Sequence, residues 1–229
     1  MTDIKMNEKE NKQFSIAVLL DSSGSMQKMG NEPIEGINNF FKEQIKSGEI
    51  TATLAKFSDS ITYLYKNIKG SDIKDIEPKD YKPSGMTALY DSIASLINTQ
   101  KEQSIENVIF IIVTDGEENA SKEYKRNDIK SLITEMETIN KWKFIYLGAN
   151  QDSFAVGNSI GIHTSGDYEY TPVGCRNMMR TVSESVSRCV SQEVPIEKFE
   201  LKMPEIGRVD DNNTTLKNPF SSLRRLDSC

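Results

Sequence analysis

The stretch Phe14–Ser25, FSIAVLLDSSGS, limits what this chain can fold into more than any other. Ile16 to Leu20 is an unbroken apolar run of five residues, ended by polar and glycine residues. Such a run reads as a strand buried on both faces, as at the centre of a parallel sheet. At its end Asp21, Ser23 and Ser25 stand at i, i+2 and i+4. They place one carboxylate and two hydroxyls on a loop at the carboxyl end of a central strand, where open α/β sheets bind their ligands. All three are hard oxygen donors, which suits a small hard cation such as Mg²⁺ or Mn²⁺. Asp-Ser-Ser-Gly-Ser is also ordinary turn chemistry, so the stretch alone leaves a plain turn open.

Two later stretches tip the balance: Gly85-Met86-Thr87-Ala88-Leu89-Tyr90-Asp91 and Val113-Thr114-Asp115-Gly116. With them the chain resembles the von Willebrand factor type A (vWA) family. That family's metal-ion-dependent adhesion site has the pattern Asp-x-Ser-x-Ser, then a distant Thr, then a distant Asp. Here Asp21, Ser23, Ser25, Thr87 and Asp115 follow in that order. The segments DSSGSM, GMTALYDSI, TDGEENAS and KFIYLGAN resemble most the compact stand-alone members from bacteria and phages. The resemblance runs over about Phe14 to Gly161 and continues more weakly to about Gln192.

The resemblance implies a strand order of 3-2-1-4-5-6 with one antiparallel pair. It also implies that Ser23, Ser25 and sometimes Thr87 touch the metal directly, while Asp21 and Asp115 often act through water. A Glu or Asp of a partner protein is then expected to complete the metal's shell. On this reading the chain is a metal-dependent protein-binding module and not an enzyme.

Bulk properties set further bounds. At 229 residues the chain is long enough for one sizeable α/β core with some left over. Its 34 acidic side chains outnumber 28 basic ones, a net charge of −6 with no basic block. That argues against nucleic acid or an anionic membrane as partner. The start, MTDIKMNEKENKQ, is polar without an apolar signal core, and no apolar run approaches a membrane span, so the expected location is cytoplasmic. Cys175 and Cys189 fall on one predicted helix, about 20 Å apart, too far to bond within it. They read as buried thiols, in keeping with a reducing compartment. The lone His163 has no second histidine with which to form a zinc or catalytic set.

Taken in order, the chain alternates strands and helices, which predicts a doubly wound α/β fold. We expect a mostly parallel six-stranded sheet, one antiparallel edge hairpin and helices on both faces. Residues 1–13 are expected to be a disordered lead-in, 14–192 the vWA domain, and 193–229 a tail without a domain of its own. Within the domain, strands are predicted at Phe14–Leu20, at Val108–Val113 beside it, and at Phe144–Leu147. A hairpin is predicted from Ile50–Phe57 and Ile61–Ile68. Helices are predicted near Pro33 with Ile34, Ile37, Phe41 and Ile45 inward, and after Thr87 with Leu89, Ile93, Leu96 and Ile97. A further helix over Tyr124–Asn140 turns Ile129, Leu132, Met136 and Ile139 inward. A short helix at Asp152–Ile160, a short last strand at Gly161–Thr164 and a helix carrying Cys175, Met178, Met179, Val182, Val186 and Cys189 complete the pattern. Phe199, Leu201, Phe220, Leu223 and Leu226 are too sparse for a second domain but more than a solvated linker needs.

Two other readings compete. A Mg²⁺-dependent phosphoester hydrolase of the haloacid dehalogenase type also places an Asp after its first strand. It needs a second Asp two residues on, where this chain has Ser23. No Gly-rich phosphate loop is present either. The other alternative is a structural or virion-associated scaffold that keeps the fold but uses other surfaces. Glu117 and Glu118 read as outer or solvated acids, and Asp91 as a residue of a helix's first turn. No role follows from the sequence for Asn119.

Overall fold

The computed structural model describes residues 12–149 and 152–202. Six strands form one sheet in the order β3-β2-β1-β4-β5-β6. The strands are β1 (Phe14–Asp21), β2 (Ile50–Phe57), β3 (Ile61–Lys69), β4 (Asn107–Thr114), β5 (Lys143–Ala149) and β6 (Thr164–Tyr168). Every pairing is parallel except β2 with β3, the edge hairpin. Five helices connect them: α1 (Glu32–Ser47), α2 (Leu89–Lys101), α3 (Arg126–Thr138), α4 (Ser153–Ser159) and α5 (Pro172–Val190).

The sheet is apolar on both sides because helices cover both. Ile16, Val18 and Leu20 of β1 face the layer of α1 and α5, with Phe40, Phe41, Met179 and Val186. Ala17 and Leu19 face the opposite layer, with Leu89, Ile93, Ile133 and Met136 of α2 and α3. That two-sided burial is why the β1 sequence is a continuous apolar run and does not alternate. The register sets Leu20 opposite Val113 on β4 and Asp21 opposite Phe57 on β2. The loops after β1 and β4 therefore leave the sheet side by side.

The structure corrects the sequence reading in three places. The last strand is Thr164–Tyr168, not Gly161–Thr164. Gly161 takes a φ of +90°, which ends the preceding turn, and the strand begins only after it. Ile139 is not inward: it is the residue that ends α3 and is 72% exposed, while Ile133 takes the buried place. Ile45 likewise lies on the outer side of α1, where Phe40 and Gln44 are buried instead.

The expectations for residues 1–11 and 203–229 lie outside the described residues. Of the tail's first ten residues, Ile196 and Phe199 are buried against the layer of α1 and α5. No described helix is long and apolar enough to cross a membrane. Cys175 and Cys189 are both buried free thiols on α5. His163 is exposed, its Nδ1 2.9 Å from Asn158 Oδ1.

Candidate metal centre

All five residues singled out by sequence stand at the carboxyl edge of the sheet. Asp21 is the last residue of β1 and is fully buried. Its Oδ1 accepts the backbone N–H of Ser23 at 2.7 Å, folding the loop back over the strand end. Its Oδ2 accepts the hydroxyl of Thr114, the last residue of β4, at 2.6 Å. Ser23 Oγ lies 3.1 Å from Ser25 Oγ, and the Ser25 hydroxyl donates to Asp115 Oδ1 at 2.8 Å. One chain of contacts thus runs from Ser23 through Ser25 to Asp115, beside an Asp21 carboxylate that is bonded on both oxygens.

Thr87 enters from the loop before α2 and is buried. A methyl group built on Gly116 would lie 3.2 Å from Thr87 Oγ1 and 3.6 Å from Asp21 Oδ2. Gly116 therefore leaves open a small space toward which the Thr87 hydroxyl and the Asp21 carboxylate both converge. Two carboxylates and three hydroxyls make up the set. Among the described residues no three of His, Cys, Asp and Glu come together, so the centre is rich in neutral oxygens.

This set fits a small divalent cation. The Ser25 and Thr114 hydroxyls direct their protons at carboxylates, and Ser25 Oγ, also in contact with Ser23 Oγ, keeps one lone pair to face an ion. Burial pushes the Asp21 carboxyl above its ordinary range, opposed by the hydrogen bonds from Thr114 and Ser23, with the charge of Asp115 adding to the rise. A dication beside these two carboxylates would relieve both the desolvation and their mutual repulsion.

The loops are held by residues that sequence reasoning left without a role. Asn119 Oδ1 accepts the Thr87 N–H at 2.8 Å, and the Asn119 N–H donates to the Thr87 carbonyl at 3.0 Å. This reciprocal pair fixes Thr87 against the loop that carries Asp115. Glu118 accepts from the N–H groups of Ala120 and Ser121 and, at 2.9 Å, from Tyr90 in the first turn of α2. Asp91 accepts from the N–H groups of Lys122, Glu123 and Tyr124, so it ties the head of α2 to the segment leading into α3. Neither Glu118 nor Asp91 is turned to the centre.

Three tyrosines close it from below and from the side. Tyr81 donates to the Asp21 carbonyl at 2.8 Å, and Tyr168 to the Thr114 carbonyl at 3.4 Å. Each steadies the strand end that carries one wall of the site. Tyr170, between β6 and α5, donates to the Ser25 carbonyl and contacts the Asp115 carboxylate. Partial burial, then the bond and charge of Asp115, push its phenol up to about 12. No sequence signal marks these tyrosines, because none belongs to the loop motifs.

No protein-family model matches the chain, and no curated protein matches it. Solved structures do. The PilB minor pilin from Streptococcus sanguinis superposes with a TM-score of 0.61 at 11% identity, over 80% of this chain and 63% of the pilin. The vWF domain of the type V pili tip protein Mfa5 from Porphyromonas gingivalis gives 0.60 at 9% identity, over 79% of this chain and 97% of that domain. The ArnB paralog VWA2 from Sulfolobus acidocaldarius gives 0.55 at 21% identity, over 76% and 45% of the two chains. The chain spans less than two thirds of the length of the pilin and of the ArnB paralog. At these identities the likeness speaks to architecture alone, and the architecture is a von Willebrand factor type A-like fold.

Proposed function

We propose that this chain is a protein-binding module whose grip depends on a divalent ion, Mg²⁺ or Mn²⁺, at Asp21, Ser23, Ser25, Thr87 and Asp115. The observation that carries the reading is the contact chain from Ser23 through Ser25 to Asp115 beside the doubly bonded Asp21. It turns the proton of the exposed Ser25 hydroxyl to the Asp115 carboxylate and leaves that oxygen able to face an ion. A dication held there would supply an electron-poor centre able to take a further oxygen ligand. The chain's own residues hold the ligand set rigid: Asn119 fixes Thr87, Tyr81 fixes the end of β1, and Tyr168 the end of β4. A Glu or Asp carboxylate of a partner protein is the ligand best matched to the remaining position. Binding is favoured over phosphoester hydrolysis because Ser23 stands where a hydrolase of that type needs its second carboxylate.

Calorimetric titration of Mg²⁺ and of Mn²⁺ into the wild type, Asp21→Ala and Ser25→Ala tests the assignment. One ion per wild-type chain is expected, with uptake lost in Asp21→Ala and weakened in Ser25→Ala. Ser25 is exposed, so its variant keeps the fold and separates metal loss from unfolding. Equal uptake by the wild type and Ser25→Ala, with Asp21→Ala also unchanged, would sink the reading.

A further inference from the structure

Five large apolar side chains are exposed among the described residues: Ile45, Met86, Ile139, Phe154 and Val173. Ile45 and Ile139 stand near the C-terminal ends of α1 and α3, away from the candidate centre. The other three share its edge of the sheet. Met86 is 55% exposed and directly precedes Thr87. Val173 is 57% exposed in the first turn of α5, three residues after Tyr170, whose hydroxyl reaches the Ser25 carbonyl. Phe154 is 62% exposed in the first turn of α4, where the chain has just left β5.

Scattered exposed apolar residues need no explanation; three of five around one site do. Their loops are fixed around it. Gly85 accepts from the Gly24 N–H at 3.1 Å and Met86 donates to Asp59 Oδ1 at 3.2 Å, so Met86 is held beside the loop of Ser23 and Ser25. Thr171 caps α5 by accepting the Gly174 N–H at 3.0 Å, which fixes the turn that carries Val173. β5 lies two strands from β1, about 10 Å across the sheet. An extended segment of about five residues can span that distance.

Charge narrows the partner further. Asp59 and Asp115 accept hydrogen bonds from Met86 and Ser25 at this edge, and Lys28 lies over the Tyr170 ring, on a chain of net charge −6. The net charge of −6 disfavours a strongly acidic partner away from the ion itself. A single carboxylate among apolar neighbours does not.

We propose that Met86, Phe154 and Val173 form an apolar rim around the centre, and that the partner is a protein segment with one acidic side chain flanked by large apolar ones. The inference rests on the metal-dependent reading above and names what that site selects. Metal affinity and carboxylate capture belong to the ligand set, while choice among acidic partners belongs to the rim.

The test uses labelled synthetic peptides in excess Mg²⁺, read by fluorescence anisotropy. They carry the cores Leu-Glu-Phe, Gly-Glu-Gly and Asp-Glu-Asp between serines, with a fourth peptide made of residues 220–229 of this chain. The Leu-Glu-Phe peptide is expected to bind at least about tenfold tighter than Gly-Glu-Gly, the gain from covering one to two apolar side chains. In the triple variant Met86→Ser/Phe154→Ser/Val173→Ser that preference disappears, while Mg²⁺ uptake and Gly-Glu-Gly affinity stay at the wild-type level. Equal affinity for the two peptides overturns the inference alone, as does a preference for Asp-Glu-Asp or a preference that survives the triple variant. Tighter binding of the 220–229 peptide than of Leu-Glu-Phe overturns the assignment to a separate partner. If no peptide binds while Mg²⁺ is taken up normally, the carboxylate-capture reading falls and takes the rim with it.

Discussion

Replacing Thr114 by Val removes one hydroxyl and little volume, at a position where the structure gives that hydroxyl a specific task. Thr114 Oγ1 donates to Asp21 Oδ2 at 2.6 Å, and both residues are fully inaccessible to solvent. A hydrogen bond to a charged group contributes about 1.5–3 kcal/mol, and no water can replace this one. The Gly116 N–H also loses its acceptor, Thr114 Oγ1 at 3.1 Å, though Gly116 is only half-buried and solvent offsets part of that loss. The sum is a destabilisation of about 2–4 kcal/mol, or about 5–15 °C in Tm for a domain of this size. Denaturant unfolding of the metal-free protein measures it, with a constant slope as the check on two-state behaviour. A double-mutant cycle with Asp21→Asn isolates the pair and should return a coupling of at least about 1 kcal/mol. A loss under about 0.5 kcal/mol, or a coupling near zero, refutes the claim that Thr114 holds the Asp21 carboxylate in place.

Gly85→Ala should cost about 2–3 kcal/mol in the same assay. Its φ of +81° disfavours any side chain, and a Cβ there would lie 2.1 Å from Asp59 Oδ2, forcing that carboxylate off the Met86 N–H; wild-type stability would show the turn to be unstrained. Cys175 is 1% exposed, and burial, with the charge of Glu32 adding, pushes its thiol up to about 12. It should therefore resist a maleimide at pH 8 in the native protein and react once the protein is unfolded, as read by mass spectrometry of its peptide. Because the folded thiol keeps its proton above the ordinary value of 9.0, its contribution to stability falls as pH rises from about 9 toward 12. Rapid native labelling would contradict the buried placement.

Much of the architecture was legible because it rests on side-chain pattern. The apolar runs of β1 and β4 announce strands covered on both faces, and the Cys175 to Cys189 stripe announces the inner face of α5. Convergence of Asp21, Ser23, Ser25, Thr87 and Asp115 was legible in another way, through the resemblance of their order to the vWA metal-site pattern, because the turn chemistry of Asp21 to Ser25 alone left a plain turn open. β6 was misplaced because Thr-Ser-Gly-Asp-Tyr carries no apolar signal; the strand is held by its pairing with β5 and buries only Gly166 and Tyr168. Ile139 misled because helical spacing continues past the residue where α3 stops. The supporting residues were hidden for a third reason. Asn119, Tyr81, Tyr168 and Tyr170 act on backbone N–H and C=O groups contributed by distant segments, and a bond to a peptide group leaves no mark on the sequence of the segment that receives it.

Manganese offers the most direct check on the central claim, because its anomalous scattering locates it without assumption. Crystals grown or soaked with Mn²⁺ should show a single strong anomalous peak in contact with the hydroxyl oxygens of Ser23 and Ser25 and near Thr87, Asp21 and Asp115. The peak should weaken in crystals of Ser25→Ala grown at limiting Mn²⁺. A well-ordered site that stays empty at saturating Mn²⁺, or a peak lying elsewhere on the chain, contradicts the account.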